Sequence, residues 1–183
     1  MTLRIVGFAA SLCRPSKTRA LIDLVCAKAA ASLGATATTY DLTDLQPALG
    51  TALTLDNLKG VPRAIVASIV SADALVVGSP VYKGSYTGLF KHLFDLIDPA
   101  ALAGKPVLLT ATGGGDKHAL VIEHQLRPLF GFFEAMTLPT GVYASGADFS
   151  DGVPASPALL TRIDRAVSQF PKGLQHLHPA TAA

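Results

Sequence analysis

The sequence predicts an α/β fold whose parallel sheet is covered by helices on both faces. Short apolar runs alternate five times with helix-patterned segments along 183 residues. Half of those residues are hydrophobic and only 15% are charged, enough to bury a full core as one domain. Loops rich in glycine, proline and hydroxyl residues follow the first, third and fourth runs. Parallel strands require crossovers, and crossovers place helices over the sheet faces.

The elements follow in order. Leu3 to Phe8 reads as a short buried strand, and Thr18 to Leu33 repeats apolar residues at helical spacing through Leu21, Leu24, Val25 and Ala29, closed by Gly34. Thr36 to Asp41 is a second strand. Leu42 to Gly60, with Pro47 and Gly50, reads as irregular, and Val61 to Ser71 as a helix with Pro62 in its first turn. Ala74 to Ser79 is the third strand. Thr87 to Ile97 is a helix with an inward stripe of Leu89, Phe90, Leu93, Phe94 and Ile97, stopped by Asp98-Pro99. Val107 to Ala111 is the fourth strand, Asp116 to Met136 a long helix, Leu138 to Val142 the fifth strand, and Ala158 to Phe170 the closing helix. The natural arrangement is a flavodoxin-like, doubly wound, five-stranded sheet of order 2-1-3-4-5 over residues 1–172, with 173–183, including His176 and His178, as a frayed tail.

Composition excludes several classes. A formal charge of +2, with lysines and arginines scattered, lacks the basic stripe of a nucleic-acid binder. No apolar run approaches the ~20 residues that span a bilayer. The N-terminal apolar stretch up to Cys13 imitates a secretion signal, but a phosphate-loop pattern runs straight through it, so it reads as the first core strand of a cytoplasmic protein. Cys13 and Cys26 lack metal-like spacing and read as reduced thiols.

Ligands of such sheets sit outside the carboxyl ends of the strands, at the switch between the first and third. Three loops therefore carry the chemistry. Ser11-Leu12-Cys13-Arg14-Pro15-Ser16-Lys17-Thr18 joins a strand to a helix N-terminus with three hydroxyl residues and two cations near free amides, which suits a phosphate; the alternative is that Ser16 simply caps the helix. Pro80 to Gly88 follows a buried strand and reads as a loop for a planar ligand, or else as a surface turn in which Tyr82 and Lys83 are merely solvated. Thr112-Gly113-Gly114-Gly115-Asp116 permits close backbone approach to a ring, or forms a flexible turn, and His118 one turn later either faces the site or caps the helix.

Several motifs at consistent spacing resemble the NAD(P)H-dependent flavin reductases that serve two-component alkanesulfonate and methanesulfonate monooxygenases. They are Ser79-Pro80-Val81-Tyr82-Lys83 with Tyr86 and Gly88, Ala103-Gly104-Lys105-Pro106-Val107, Ala111-Thr112-Gly113-Gly114 with His118, and Leu126-Arg127-Pro128-Leu129. The resemblance runs from about Leu3 to about Phe170. It implies that FMN is bound and reduced by NADH or NADPH, and that reduced flavin passes to an FMN-dependent sulfonate monooxygenase. It also implies that Ser11, Ser16, Lys17 and Thr18 hold the phosphate, with Arg14 standing beside Cys13 where the family often has an arginine. Pro80, Val81, Tyr82, Lys83 and Gly84 would face one edge of the ring, and Thr112, Gly113, Gly114 and His118 the other. No side chain is assigned a catalytic role, because hydride transfer between stacked rings needs orientation above all. A quinone, azo or metal-ion reductase that retains FMN is the rival reading. A cysteine phosphatase, suggested by the spacing of Cys13 and Arg19, conflicts with Pro15 and Lys17 in the loop.

Pro128 falls inside the fourth helical pattern, so the carbonyl of His124 loses its helical donor and a π-type widening at His124 is expected. The resemblance implies the same, with such an insertion at a subunit interface and histidine marking the methanesulfonate-type branch. This segment is apolar nearly all round, from Leu120 through Phe130 and Phe132 to Met136, which predicts a homo-oligomer, dimer or tetramer, formed through it.

Overall fold

In the computed structural model, which describes residues 2–171 and 174, the strands β1 (Arg4–Ala9), β2 (Thr36–Asp41), β3 (Ala74–Pro80) and β4 (Pro106–Gly113) lie in the order β2-β1-β3-β4, all parallel. The first helix, α1 (Lys17–Leu33), starts at Ser16, whose hydroxyl accepts the Arg19 amide, and ends at Gly34 with φ 63°. The segment after β2 is built of 3-10 turns and the single-turn helix α2 (Ala48–Thr51), and leads into α3 (Gly60–Ser71). Then come α4 (Gly88–Asp95), α5 (Arg127–Phe132) and α6 (Pro157–Val167).

Alternation along the strands sorts the core into two layers. Val6, Phe8, Leu75, Val77, Val107 and Leu109 point into a cluster with Val66 and Ile69 of α3, Phe90 and Phe94 of α4 and Phe130 of α5. Ile5, Ala74, Val76 and Leu108 point the other way, against Leu21, Ile22 and Val25 of α1 and Leu159 and Ile163 of α6. The first layer is held by an aromatic series in which Phe90 and Phe94 meet at 4.8 Å and Phe94 and Phe130 at 4.9 Å between ring centroids.

Two expectations are corrected. The fifth position of the sheet is not one strand over 138–142 but two segments, β5 (Met136–Thr137) and β6 (Val142–Ser145), both parallel to β4, so the sheet has six strand segments. Pro139 has no amide to give, and the ladder breaks around it. Side chains repair the break. Arg127 donates to the Leu138 and Pro139 carbonyls at 3.0 and 3.3 Å, Arg162 donates to the Gly141 carbonyl at 2.7 Å, and Gln169 accepts from the Thr140 amide at 2.9 Å. Nor does a single helix span 116–136: a 3-10 turn at Asp116–His118 is followed by a π-helical turn at Ile122–Leu126 and then α5. The Arg127 amide reaches back five residues to the Ile122 carbonyl, just ahead of Pro128, so the widening falls where the proline demands it.

A short hairpin, β7 (Phe149–Ser150) with β8 (Val153–Pro154), lies between β6 and α6. The expected tail at 173–183 lies outside the described residues except for Leu174, which is buried in the α1–α6 layer.

Gly78 in β3 is required by close packing. A Cβ there would stand 1.9 Å from Thr110 Oγ1 and 2.9 Å from the Thr110 carbonyl oxygen of the neighbouring strand. Gly78→Ala is expected to cost about 1–3 kcal/mol through overpacking, read as a lowered midpoint in thermal unfolding. An unchanged midpoint would show that the β3–β4 ladder adjusts freely.

Candidate functional site

The carboxyl ends of β1, β3 and β4 are tied into one frame. The Ala10 amide donates to the Gly78 carbonyl at 2.8 Å, Thr87 Oγ1 to the Ala10 carbonyl at 3.3 Å, and the Thr87 amide to Ser79 Oγ at 3.0 Å. After β3, the Val81 amide donates to the Thr112 carbonyl at 2.8 Å, and Tyr82 and Ser85 exchange two backbone hydrogen bonds. Lys83 and Gly84 complete that turn with φ 52° and 84°, the pair of left-handed residues that a tight two-residue reversal needs.

Above this frame lies a hollow of about 310 Å³. It brings together Lys17, Pro80, Val81, Tyr82, Thr112, Gly113 and Gly114, all candidates from sequence. Ala144, Ser145, Gly146 and Phe149 complete its lining. Sequence reasoning missed this fourth wall, although the Ser145-Gly146 turn at the end of the edge strand obeys the same carboxyl-end rule as the other loops. Glycines keep the hollow open: a Cβ at Gly114 would meet nothing within 4 Å, whereas one at Gly113 would meet the Tyr143 hydroxyl at 2.3 Å. That hydroxyl donates to the Gly115 carbonyl at 2.6 Å and braces the glycine loop. Burial pushes the Tyr143 phenol up, with the charge of Asp116 adding to it, so it stays a donor at neutral pH.

Beside the hollow, the loop before α1 supplies the donor set for an anion. Ser11 is buried, 3% exposed, and its Oγ has no hydrogen-bond partner in the structure. A buried hydroxyl without a partner is costly, and this one, in the loop that leads into α1, fits an oxyanion that would complete it. Thr18 Oγ1 is 2.6 Å from Thr112 Oγ1, joining α1 to β4, and Lys17 Nζ lies 5.3 Å from the centroid of the Phe149 ring. The set as a whole suits a planar ring bearing a phosphate: a hollow with glycine backbone on one side and the rings of Tyr82 and Phe149 in its lining, next to a loop with an orphaned hydroxyl and a lysine.

Four candidates, Arg14, His118, Lys83 and Gly84, sit elsewhere. Arg14 turns away from the loop: its Nε lies 2.7 Å from Asp41 Oδ2, and its Nη2 3.0 Å from Asp41 Oδ1 and 2.7 Å from Asp44 Oδ1. Arg19 Nη1 adds a contact to Asp41 at 2.9 Å. His118 is not part of the hollow's lining and faces a neighbouring one, with Lys117 and His124. Lys83 and Gly84 form the tip of the turn rather than its wall. Both cysteines are free, Cys13 exposed and Cys26 buried, and burial pushes the Cys26 thiol up to about 12. Arg19, bound to Asp41 and to the Thr39 carbonyl, does not serve Cys13 as a phosphatase arginine would.

Residues 3–150 match the family model described as NADPH-dependent FMN reductase. A Pseudomonas aeruginosa protein named FMN reductase (NADPH) is 48% identical over 166 residues, covering 91% of this chain and 89% of that relative. The NADH-dependent FMN reductase SfnF of Pseudomonas fluorescens is 46% identical over 178 residues, covering 97% and 95%. Among solved structures, an oxidoreductase from Corynebacterium diphtheriae superposes with a TM-score of 0.84 at 35% identity, over 92% of this chain and 94% of that one.

The Asp41 carboxylate is fully buried, which alone would raise its pKa. Its hydrogen bonds from Arg14, Thr43 and Arg19 outweigh burial and hold it below the usual carboxylate range. A depressed folded-state pKa contributes stability that is fully present above the unfolded value of about 3.9 and is lost as pH falls through the folded one. The wild type is therefore expected to lose stability below about pH 4 more steeply than Asp41→Asn. The variant starts from a midpoint several degrees lower at neutral pH. Parallel acid unfolding curves for the two proteins would refute this role.

Proposed function

The chain belongs to the family of NADPH-dependent FMN reductases, and from that premise we propose that it reduces FMN with NADH or NADPH and supplies reduced flavin to a sulfonate monooxygenase in sulfur assimilation. The observation that carries the reading is the orphaned Ser11 hydroxyl in the loop that leads into α1, whose Lys17 lines the same hollow as Gly113 and Gly114. The sulfonate assignment rests on the motif resemblance in the sequence. The cytoplasm, where NAD(P)H is made, is its place, and residues 1–172 act as one reductase unit.

In this reading Ser11, Ser16, Lys17 and Thr18 surround the FMN phosphate. Pro80, Val81 and Tyr82 hold one ring edge, and Thr112, Gly113 and Gly114 the other. Bound there, FMN supplies the electron-accepting ring on which a reduced nicotinamide can stack and give up hydride. The chain's task is positioning. The Val81–Thr112 bond and the Lys83-Gly84 reversal fix one wall, and Tyr143 fixes the opposite wall through Gly115. Phe149 and Ala144 present apolar surface to the hollow.

The test is NADH and NADPH oxidation by flavin-free protein with FMN or riboflavin titrated in. Saturable turnover on free FMN alone supports the reductase. Turnover only with an added quinone, azo dye or ferric chelate, and with FMN retained, moves the protein to the rival class. Ser11→Ala is expected to raise the FMN dissociation constant about tenfold, the loss of one hydrogen bond to a charged group. Riboflavin, which lacks the phosphate, is expected to bind both proteins alike. The thermal midpoint should not fall, because no bond within the protein is lost.

The π-turn segment divides its apolar residues. Ile122, Leu126, Phe130 and Phe133 are buried within the protomer, while Phe132, 72% exposed, lines a groove of about 470 Å³ with Pro128 and Leu129, and Leu120, 63% exposed, lies outside that groove. Half of the stripe expected to reach a partner thus belongs to the protomer's own core. The face around Phe132 is the surface through which the proposed homo-oligomer forms. Phe132→Glu is expected to reduce the mass measured by light scattering to that of one chain. An unchanged mass would rule out this face.

A further inference from the structure

A second hollow, of about 270 Å³, lies behind the two loops that wall the ring hollow. Tyr82 lines the first, and Gly84, in the same turn, lines the second. Gly113 and Gly114 line the first, and Lys117 and His118 the second. The shared wall is thin, since a Cβ at Gly113 would stand 3.5 Å from His118 Cβ.

The chemistry of this second hollow is one-sided. Lys117, His118 and His124 all offer nitrogen donors, and no carboxylate is among its lining residues. The acids on the same stretch act elsewhere. Both Glu123 oxygens are taken by Arg127, at 2.6 and 2.9 Å, and Asp116 is not among the lining residues. A hollow with a lysine, two imidazoles and no acid in its lining suits oxyanions. Hydride transfer requires the nicotinamide to stack on the flavin, so the phosphates of the same nucleotide must come to rest on surface adjoining the ring hollow.

We propose that this second hollow holds phosphate oxygens of the nicotinamide nucleotide, contacted by Lys117 and His118. His118 then reads the reductant, not the FMN to which the sequence pattern attached it. The inference rests on placing the flavin ring in the hollow between Tyr82 and Gly113. The phosphate is either the diphosphate common to NADH and NADPH or the 2′-phosphate of NADPH alone, and the two are separable.

The experiment is calorimetric titration of NADP⁺, NAD⁺ and nicotinamide riboside into FMN-loaded wild type, Lys117→Ala and His118→Gln. Lys117 is exposed and its removal leaves the core untouched. Each variant is expected to bind NADP⁺ about tenfold more weakly, as for one lost charged hydrogen bond, and nicotinamide riboside, which has no phosphate, as the wild type does. A matching loss for NAD⁺ supports the hollow as a diphosphate site; a loss for NADP⁺ alone supports it as a 2′-phosphate site. Unchanged affinity for both dinucleotides overturns the proposal, and so does an equal loss for the riboside. A raised FMN dissociation constant in the variants assigns the hollow to flavin and overturns it as well. Failure of the flavin placement itself reads differently, as an unchanged FMN affinity in Ser11→Ala.

Discussion

Parallel pairing of β1, β3 and β4 is the constraint from which the rest of the structure follows. Strands that pair in parallel must each return through a crossover, and the crossovers here put α1 and α6 on one face and α3, α4 and α5 on the other. The strands consequently begin together at one edge and end together at the other. At their shared end, the loops after β1, β3 and β4 meet without any long-range specification beyond register, and short bonds such as Ala10 to Gly78 and Val81 to Thr112 lock them. Packing between strands demands glycine at Gly78, where Thr110 occupies the space a side chain would need. The candidate site is the open end of a rigid ladder, not a cleft between moving parts.

The edge of the sheet and the π-turn solve one problem jointly. Pro139 interrupts the strand and strands the carbonyls around it, and Arg127, at the end of the π-turn, reaches two of them while its remaining donors hold Glu123 and the Thr137 hydroxyl. Gly141 lets the Ile122 side chain close on the break, since a Cβ there would approach Ile122 to 2.5 Å. Losing helical regularity at 122–126 thus coincides with the place where the sheet loses its own. Both irregularities are compensated by the same few residues.

Much of this was legible in the sequence because it depends on local chemistry. Buried runs such as Ala74 to Val77 admit little but a central strand, Ser16 and Gly34 bracket α1, and Pro128 announces a fault in its helix by lacking an amide hydrogen. That residues of three loops line one hollow was legible as well, since the loops after β1, β3 and β4 leave the same end of a parallel sheet. What escaped depends on packing between distant segments. The contribution of Phe149 and Gly146 follows from the edge strand ending beside Lys17, and the split of that strand follows from side chains contributed by the π-turn and α6. The placement of His118 turns on a 3-10 turn that the helical pattern conceals.

Arg14 shows how tertiary context redistributes the charge that a loop carries in sequence. The loop before α1 carries Arg14 and Lys17, and a count of residues gives two cations for an anion. In the fold, Asp41 is buried at the end of β2 and requires compensation, which Arg14 and Arg19 supply together, with Asp44 taking a further Arg14 donor. The two arginines are matched by Asp41, Asp44 and, on Arg19, Asp23, so the group offers no net positive charge to the loop. Lys17, over the Phe149 ring, is left as the loop's cation nearest the hollow. In the proposed complex, attraction for the phosphate then comes chiefly from amides and hydroxyls with one flexible charge added. Such a site holds its ligand less tightly than one with a bidentate arginine clamp, which suits the proposed role, in which reduced flavin is handed on.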